Sequence, residues 1–216
     1  MDYSISQSFL LCVLKEDGTI PKLSLDENWL IAAGMLDLIL NDIIDYVDEK
    51  IQVKGELPRN LSYLKTFYTF LKSSDKSAKS VVIEFSTKDL GKSKTKLFKA
   101  IAKSLAEVNA VKIDSKANFL SSSESYIPNK VEVKKIIEEI RAELLEDGPV
   151  TQENTVLSML LDKSSHLKDY FSKHERNKLN EKMEEIRNSP VNSPVKEAME
   201  STILLISILA IFLGVI

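Results

Sequence analysis

Apolar residues recur at helical spacing through most of the chain. In VEVKKIIEEIRAELLEDGP, Val133, Ile136, Ile137, Ile140 and Leu144 form one stripe, and Gly148-Pro149 stops the helix. Leu97, Ile101, Leu105 and Val108 make a second stripe in KSKTKLFKAIAKSLAEV. Leu61, Leu64, Phe67, Tyr68 and Leu71 make a third, with Asn60 as its candidate cap. Thr151 is the N-cap expected for TQENTVLSMLLDKSSHL, with Glu153 in the first turn. DYFSKHERNKLNEKMEEIRN is a further helix that turns Phe171, Leu179, Met183 and Ile186 inward. NWLIAAGMLDLILNDII is apolar nearly all round, which predicts a helix over Trp29–Ile44, capped by Asp26 and buried on most faces.

Other segments are shorter or ambiguous. SFLLCVL reads as a short buried strand or the start of a helix, before a turn at Glu16-Asp17-Gly18. AKSVVIEFS fits helix or strand. IDYVDEKIQVKG alternates as a strand leading into Gly55. VNAVKIDSKANFLSSSESYIPN predicts a β-hairpin within residues 110–128. Its arms are Ala110–Ile113 and Tyr126–Pro128, and its polar middle surrounds Phe119-Leu120. A last helix starts near Pro194 and ends in TILLISILAIFLGVI, which has no charge. That tail makes a helix of about 22 Å, whereas a span needs about 20 residues to cross a hydrocarbon core of about 30 Å. It is therefore expected to be a central buried helix, with a tilted tail anchor as the alternative.

Composition narrows the class. Six Gly and six Pro in 216 residues are too few turn-formers for a many-stranded β fold, so the chain is expected to be a mainly α single domain over residues 1–216. A net charge of −3 argues against nucleic acid as partner. Cys12 is the one cysteine, which excludes a disulfide framework and suits a reducing compartment. Asp2 and an apolar run confined to Phe9–Leu14 do not fit a secretory signal, so a cytoplasmic location is expected.

Chemistry-bearing motifs are sparse. His166 and His174 lie eight residues apart with no further ligands at zinc spacing, so no metal is expected. Cys12 sits in an apolar run without a neighbouring base, as a buried structural cysteine does. Glu138, Glu139, Asp42 and Asp45 read as solvated helix charges. No phosphate loop, dinucleotide fingerprint, zinc-protease helix or nucleophile elbow occurs, so neither a cofactor nor an enzymatic activity is expected.

One electrostatic feature rises above this background. Residues 88–103 hold six lysines against a single Asp89, in a chain that is net acidic. Lys92, Lys96, Lys99 and Lys103, spaced 4, 3 and 4 apart, share the helix face opposite the apolar stripe. Such a face attracts anionic lipid or another polyanion.

The order of segments is similar to that of the GPP34 family, the Golgi phosphoprotein 3-like proteins and their bacterial relatives. The resemblance runs from SFLLCVLKEDGTI through AAGMLDLILNDII to SYIPNKVEVKKIIEEIRAELLEDGPVTQENTVLSMLLDKSSHLKDYF, and on through KLNEKMEEIRNSPVNSPVKEAMES into the apolar last helix. It implies a mainly helical domain with short β-hairpins. It also implies a non-enzymatic peripheral membrane role, binding phosphatidylinositol 4-phosphate, with protein partners and self-association also possible. The tryptophan and arginine of the family's phosphoinositide pocket fall on Lys22 and Ile31, and its two further arginines on Thr95 and Phe98. The family's arginine-glycine-arginine step is Asn41-Asp42-Ile43. None of these positions matches. Lys92, Lys94, Lys96, Lys99 and Lys103 keep the region basic, so the expected ligand widens to anionic phospholipid headgroups in general. Phe119 and Leu120 correspond to the hairpin tip that dips into the bilayer. The alternative is an adaptor module that has lost phosphoinositide binding.

Overall fold

Ser4 starts the first helix by a reciprocal cap. Its hydroxyl accepts from the Gln7 amide, and the Gln7 side chain accepts from the Ser4 amide, opening α1 (Ile5–Val13). In the computed structural model, which describes residues 2–17, 23–47, 50–73, 77–118, 121–146, 148–191 and 193–213, this helix is the most enclosed element. The apolar run FLLCVL is thus helix, with Phe9, Leu10 and Leu11 fully buried. Around it pack α2 (Leu23–Leu40), α5 (Lys92–Glu107), α6 (Lys130–Leu144) and α7 (Gln152–Lys163).

The other elements are α3 (Lys65–Lys72), α4 (Ala78–Thr87), α8 (Lys173–Asn188) and α9 (Pro194–Leu213), with two antiparallel hairpins. The first pairs β1 (Ile44–Val47) with β2 (Lys50–Val53), and the second pairs β3 (Val111–Asn118) with β4 (Ser121–Pro128). The fold is mainly α, as composition predicts, and its buried apolar residues form one continuous cluster. A tilted aromatic trio fastens α3 to α4, with ring centroids of Phe67 and Phe85 4.7 Å apart and of Phe70 and Phe85 5.2 Å apart.

Helix ends account for most departures from the sequence pattern. The second helix begins ahead of Asp26 and stops at Leu40 rather than Ile44. Asp42 takes a left-handed φ of 55°, and the Ile43 amide reaches back to the Leu38 carbonyl at 2.9 Å, freeing Ile44 to begin β1. Asn109 (φ 60°) ends α5 in the same way, with Ala110 N–H on the Leu105 carbonyl at 2.9 Å. Ser165 (φ 66°) ends α7, with His166 N–H on the Leu161 carbonyl at 2.8 Å. Small polar residues take the place glycine usually fills in such caps. The turn at Asn109 also removes Val108 from its stripe. Val108 follows the last helical residue and is 58% exposed, while Ala110 takes the buried position. Asn60 caps nothing, because a 3-10 turn over Arg59–Leu64 follows Pro58 and leads straight into α3. Thr151 is the cap expected of it, accepting from the Asn154 amide.

The apolar C-terminal helix packs into the domain on one face. Ala198, Met199, Thr202, Leu205, Ile208 and Leu209 are buried, and α9 contacts α2, α4, α7 and α8. Ile203, Leu204 and Ile206 are half-buried and Ser207 is exposed. Among the described residues, no helix is long and apolar enough to cross a membrane.

Two polar clusters fasten the helices. Asp37, buried within α2, accepts from the Ile5 amide at 2.7 Å, the Ser6 amide at 3.1 Å and the Ser4 hydroxyl at 2.9 Å, and from the Ser6 hydroxyl. The carboxylate thereby serves the first amides of α1, which have no intrahelical partner. Arg141 joins α6 to α8. Its guanidinium donates to Glu175 at 3.1 Å, Glu138 at 2.9 Å and the Tyr170 carbonyl at 2.7 Å, and lies 4.8 Å from the Phe171 ring centroid. The Ser172 cap, then Arg141, hold the Glu175 carboxyl down to about 2. Arg141→Lys is expected to lower stability by about 1–3 kcal/mol in urea denaturation, because an ammonium cannot make these bonds together.

Cys12 is buried, and burial alone pushes its thiol up to about 12. A thiol reagent at pH 8 is expected to leave the native chain unmodified and to label one thiol in denaturant, as read by mass spectrometry. His166 is buried, with Nδ1 3.4 Å from Asp169, and His174 is exposed. No group of acids, histidines and cysteine suited to a metal occurs among the described residues.

Candidate functional site

The basic region is built on α5. Leu97, Phe98, Ile101, Ala102 and Leu105 are buried, which turns the opposite side of the helix to solvent. Lys92, Lys96, Lys99 and Lys103 are exposed on that side, in a row of about 16 Å at 1.5 Å per residue. Lys92, Lys96 and Lys103 make no salt bridge with a described residue. Lys99 does, its Nζ lying 2.8 Å from Glu124 on β4. Lys99 holds the Glu124 carboxyl below its usual range, helped by a 2.5 Å hydrogen bond from the Tyr126 hydroxyl.

Lys94 is placed differently from the other lysines. It points along the side of α5 towards the start of α2, where its Nζ is 3.7 Å from Glu27, and its side chain is 16% exposed. Thr95 donates to the same carboxylate at 2.9 Å. The starts of α2 and α5 therefore meet over a buried acid. A phosphate set against Thr95 would have the Glu27 carboxylate beside it, a like charge in a poorly solvated place.

The second hairpin is anchored at its base. Tyr126 stacks edge-on against Phe98 of α5, with centroids 4.9 Å apart, and the Glu124–Lys99 pair lies alongside. Its strands are longer than their apolar ends suggest, because pairing continues from Val111↔Pro128 to Asn118↔Ser121 through residues with no apolar alternation. Phe119 and Leu120, the expected tip, lie outside the described residues.

The order of these elements is that of a known family. The family model for Golgi phosphoprotein 3 (GPP34) matches residues 5–203. The chain belongs to the GPP34 family. No curated protein gives a significant match. Within this GPP34 domain, the positions that the resemblance sets against the family's pocket can be placed. Ile31 is fully buried in α2, Phe98 is buried against Tyr126, and Thr95 is bound to Glu27. Lys22 lies outside the described residues. Asn41 donates to the Asp37 carbonyl at 2.8 Å, Asp42 forms the left-handed cap, and Ile43 is buried. Lys92, Lys96, Lys99 and Lys103 of this GPP34 domain thus stand along the outer face of α5.

Sequence reasoning passed over Glu27, Glu124 and Asp37. Asp37 had a usable signal, since it is a lone carboxylate within an apolar run and must find donors once buried, whereas Glu27 is one of two adjacent acids with Asp26. Glu124 lies in a serine run that points to no partner.

Proposed function

We propose that this GPP34 protein is a non-enzymatic peripheral membrane protein that docks on anionic phospholipid through the lysine face of α5. The observation that carries the reading is the exposed row Lys92, Lys96, Lys99 and Lys103, three of them without an ion pair to a described residue, on one side of a helix in a net acidic chain. Lysines attract a charged surface without the bidentate grip of arginine on one phosphate, so recognition is of surface charge. Lys94, held by Glu27, contributes to the local field and does not reach the surface as the others do. The hairpin tip at Phe119-Leu120 is a second contact by family analogy. Family membership supports phosphatidylinositol 4-phosphate as a ligand, while Ile31, Thr95 and Phe98 favour anionic lipid in general.

Flotation tests the reading. The purified chain is mixed with neutral phosphatidylcholine vesicles, with vesicles that also hold phosphatidylserine, and with vesicles that hold phosphatidylinositol 4-phosphate, at low and high salt. Binding to both anionic samples that weakens with salt is the expected result. Selective binding to the phosphoinositide restores the narrower ligand, and indifference to anionic lipid overturns the reading.

A second reading draws on Glu27, which occupies the junction of α2 and α5 where a headgroup would sit. In that reading the domain is a protein-interaction adaptor that no longer binds phosphoinositide. It requires absent flotation together with one reproducible partner recovered by crosslinking from its own cells.

A further inference from the structure

The turn that leads into α5 holds three consecutive residues in the left-handed region: Asp89 (φ 52°), Leu90 (φ 57°) and Gly91 (φ 81°). Gly91 adopts this conformation freely. Leucine does not, because its Cβ crowds the backbone there and no side-chain hydrogen bond offsets the strain. Leu90 is also 97% exposed, the highest value among the exposed large hydrophobic residues. The side chain therefore contributes no packing to the domain, while its backbone works against it. For the turn alone, glycine or asparagine at position 90 would serve better.

The surroundings of Leu90 are basic. Lys88 precedes the turn, with its Nζ 5.0 Å from the Phe70 ring centroid, and Lys92 and Lys96 follow it, both exposed. Asp89 is the only acid between residues 88 and 103. An exposed apolar residue flanked in the chain by exposed lysines matches the layering of a bilayer, where acyl chains lie beneath phosphates. The lysine row continues from the turn along α5, so the complementary surface is extended and anionic, as a membrane is.

We propose that the turn at residues 88–92 is a membrane wedge: Leu90 enters the acyl boundary of an anionic bilayer while Lys88, Lys92 and Lys96 hold its phosphate layer. The wedge rests on the lysine-face reading above and is a different contact from the one expected of Phe119 and Leu120. It adds a short-range apolar contact to the electrostatic attraction of the lysine face, so part of the binding survives salt.

Two variants of the full chain test it on phosphatidylcholine vesicles with and without phosphatidylserine. Leu90→Gly relieves the strain and removes the wedge. It is expected to raise the melting temperature by about 2–4 °C and to weaken binding to the anionic vesicles about tenfold. Leu90→Cys accepts an environment-sensitive dye at one site, because Cys12 is buried. Its emission is expected to shift to the blue on anionic vesicles and to stay unchanged on neutral ones. Undiminished binding of Leu90→Gly, with no spectral shift at position 90, overturns the wedge and leaves the lysine face intact. A wild-type chain that fails to float overturns both.

Discussion

Asp37→Ala is expected to lower the unfolding free energy by about 3–5 kcal/mol, measured as a shift of the urea midpoint at unchanged slope. The carboxylate accepts from two backbone amides and two hydroxyls, and alanine leaves the buried Ile5 and Ser6 amides without this acceptor and the Ser4 and Ser6 hydroxyls with only each other at 3.3 Å. Tyr63 extends the cluster by donating to the Ser4 hydroxyl at 2.6 Å, so the loss reaches the segment before α3. Asp37→Asn keeps one acceptor oxygen and is expected to cost about 1–2 kcal/mol. The two variants also separate by pH. Burial pushes the Asp37 carboxyl up to about 6, against the hydrogen bonds from Ser6, Ser4 and Ile5 that pull it down. In the unfolded chain it titrates near 3.9. Between these values the folded chain holds the extra proton, so this group's contribution is complete below about 4 and is lost as pH rises through about 6. Relative to Asp37→Asn, the wild-type chain should therefore gain stability as pH falls across that window. A difference that stays flat with pH would show that the carboxyl is ionised throughout.

Lys92→Glu combined with Lys96→Glu is expected to weaken binding to phosphatidylserine vesicles about a hundred- to a thousandfold at low salt. Each lysine close to an anionic surface contributes about 1 kcal/mol, and reversal roughly doubles the change. These two are the better choice over Lys99, whose charge is shared with Glu124. Folding is not at risk, because both side chains are exposed and glutamate is as good a helix former as lysine. Acidic residues in the first turns of α5 even favour the helix dipole. Lost flotation with an unchanged or slightly raised melting temperature is the expected pair of results. Equal binding of mutant and wild-type chains would remove α5 from the docking surface.

Long amphipathic helices were legible in the sequence because their buried stripes repeat over more than two turns. Ile136, Ile137, Ile140 and Leu144, and likewise Leu97, Ile101 and Leu105, are buried as their spacing requires. FLLCVL offered no such repeat, since a short run with every position apolar fits a strand or an enclosed helix equally. The deciding signal lay just upstream, in Ser4 and Gln7, which form a capping box only when a helix follows. Helix ends at Asp42, Asn109 and Ser165 were hidden because no glycine marks them. The lysine row was visible from spacing alone, but the separation of Lys94 from it was not, because Glu27 lies 67 residues earlier in the chain. Nothing in Lys88-Asp89-Leu90-Gly91 announces a left-handed leucine, as that conformation runs against the residue's own preference.

The enclosure of α1 sets a timetable for synthesis. The helix is made before its packing partners, and two of these, α6 and α7, come from much later in the chain. Tyr3 donates to Glu132 and Tyr170 donates to the Cys12 carbonyl, across 129 and 158 residues. At about 5–20 residues per second, those partners arrive roughly seven to thirty seconds after α1. Until then Phe9, Leu10 and Leu11 have no interior to enter, and the nascent chain presents its most apolar helix to the cell. Folding of this domain is therefore completed only after α7 has been made, and a holdase that binds short apolar segments has its natural target in α1.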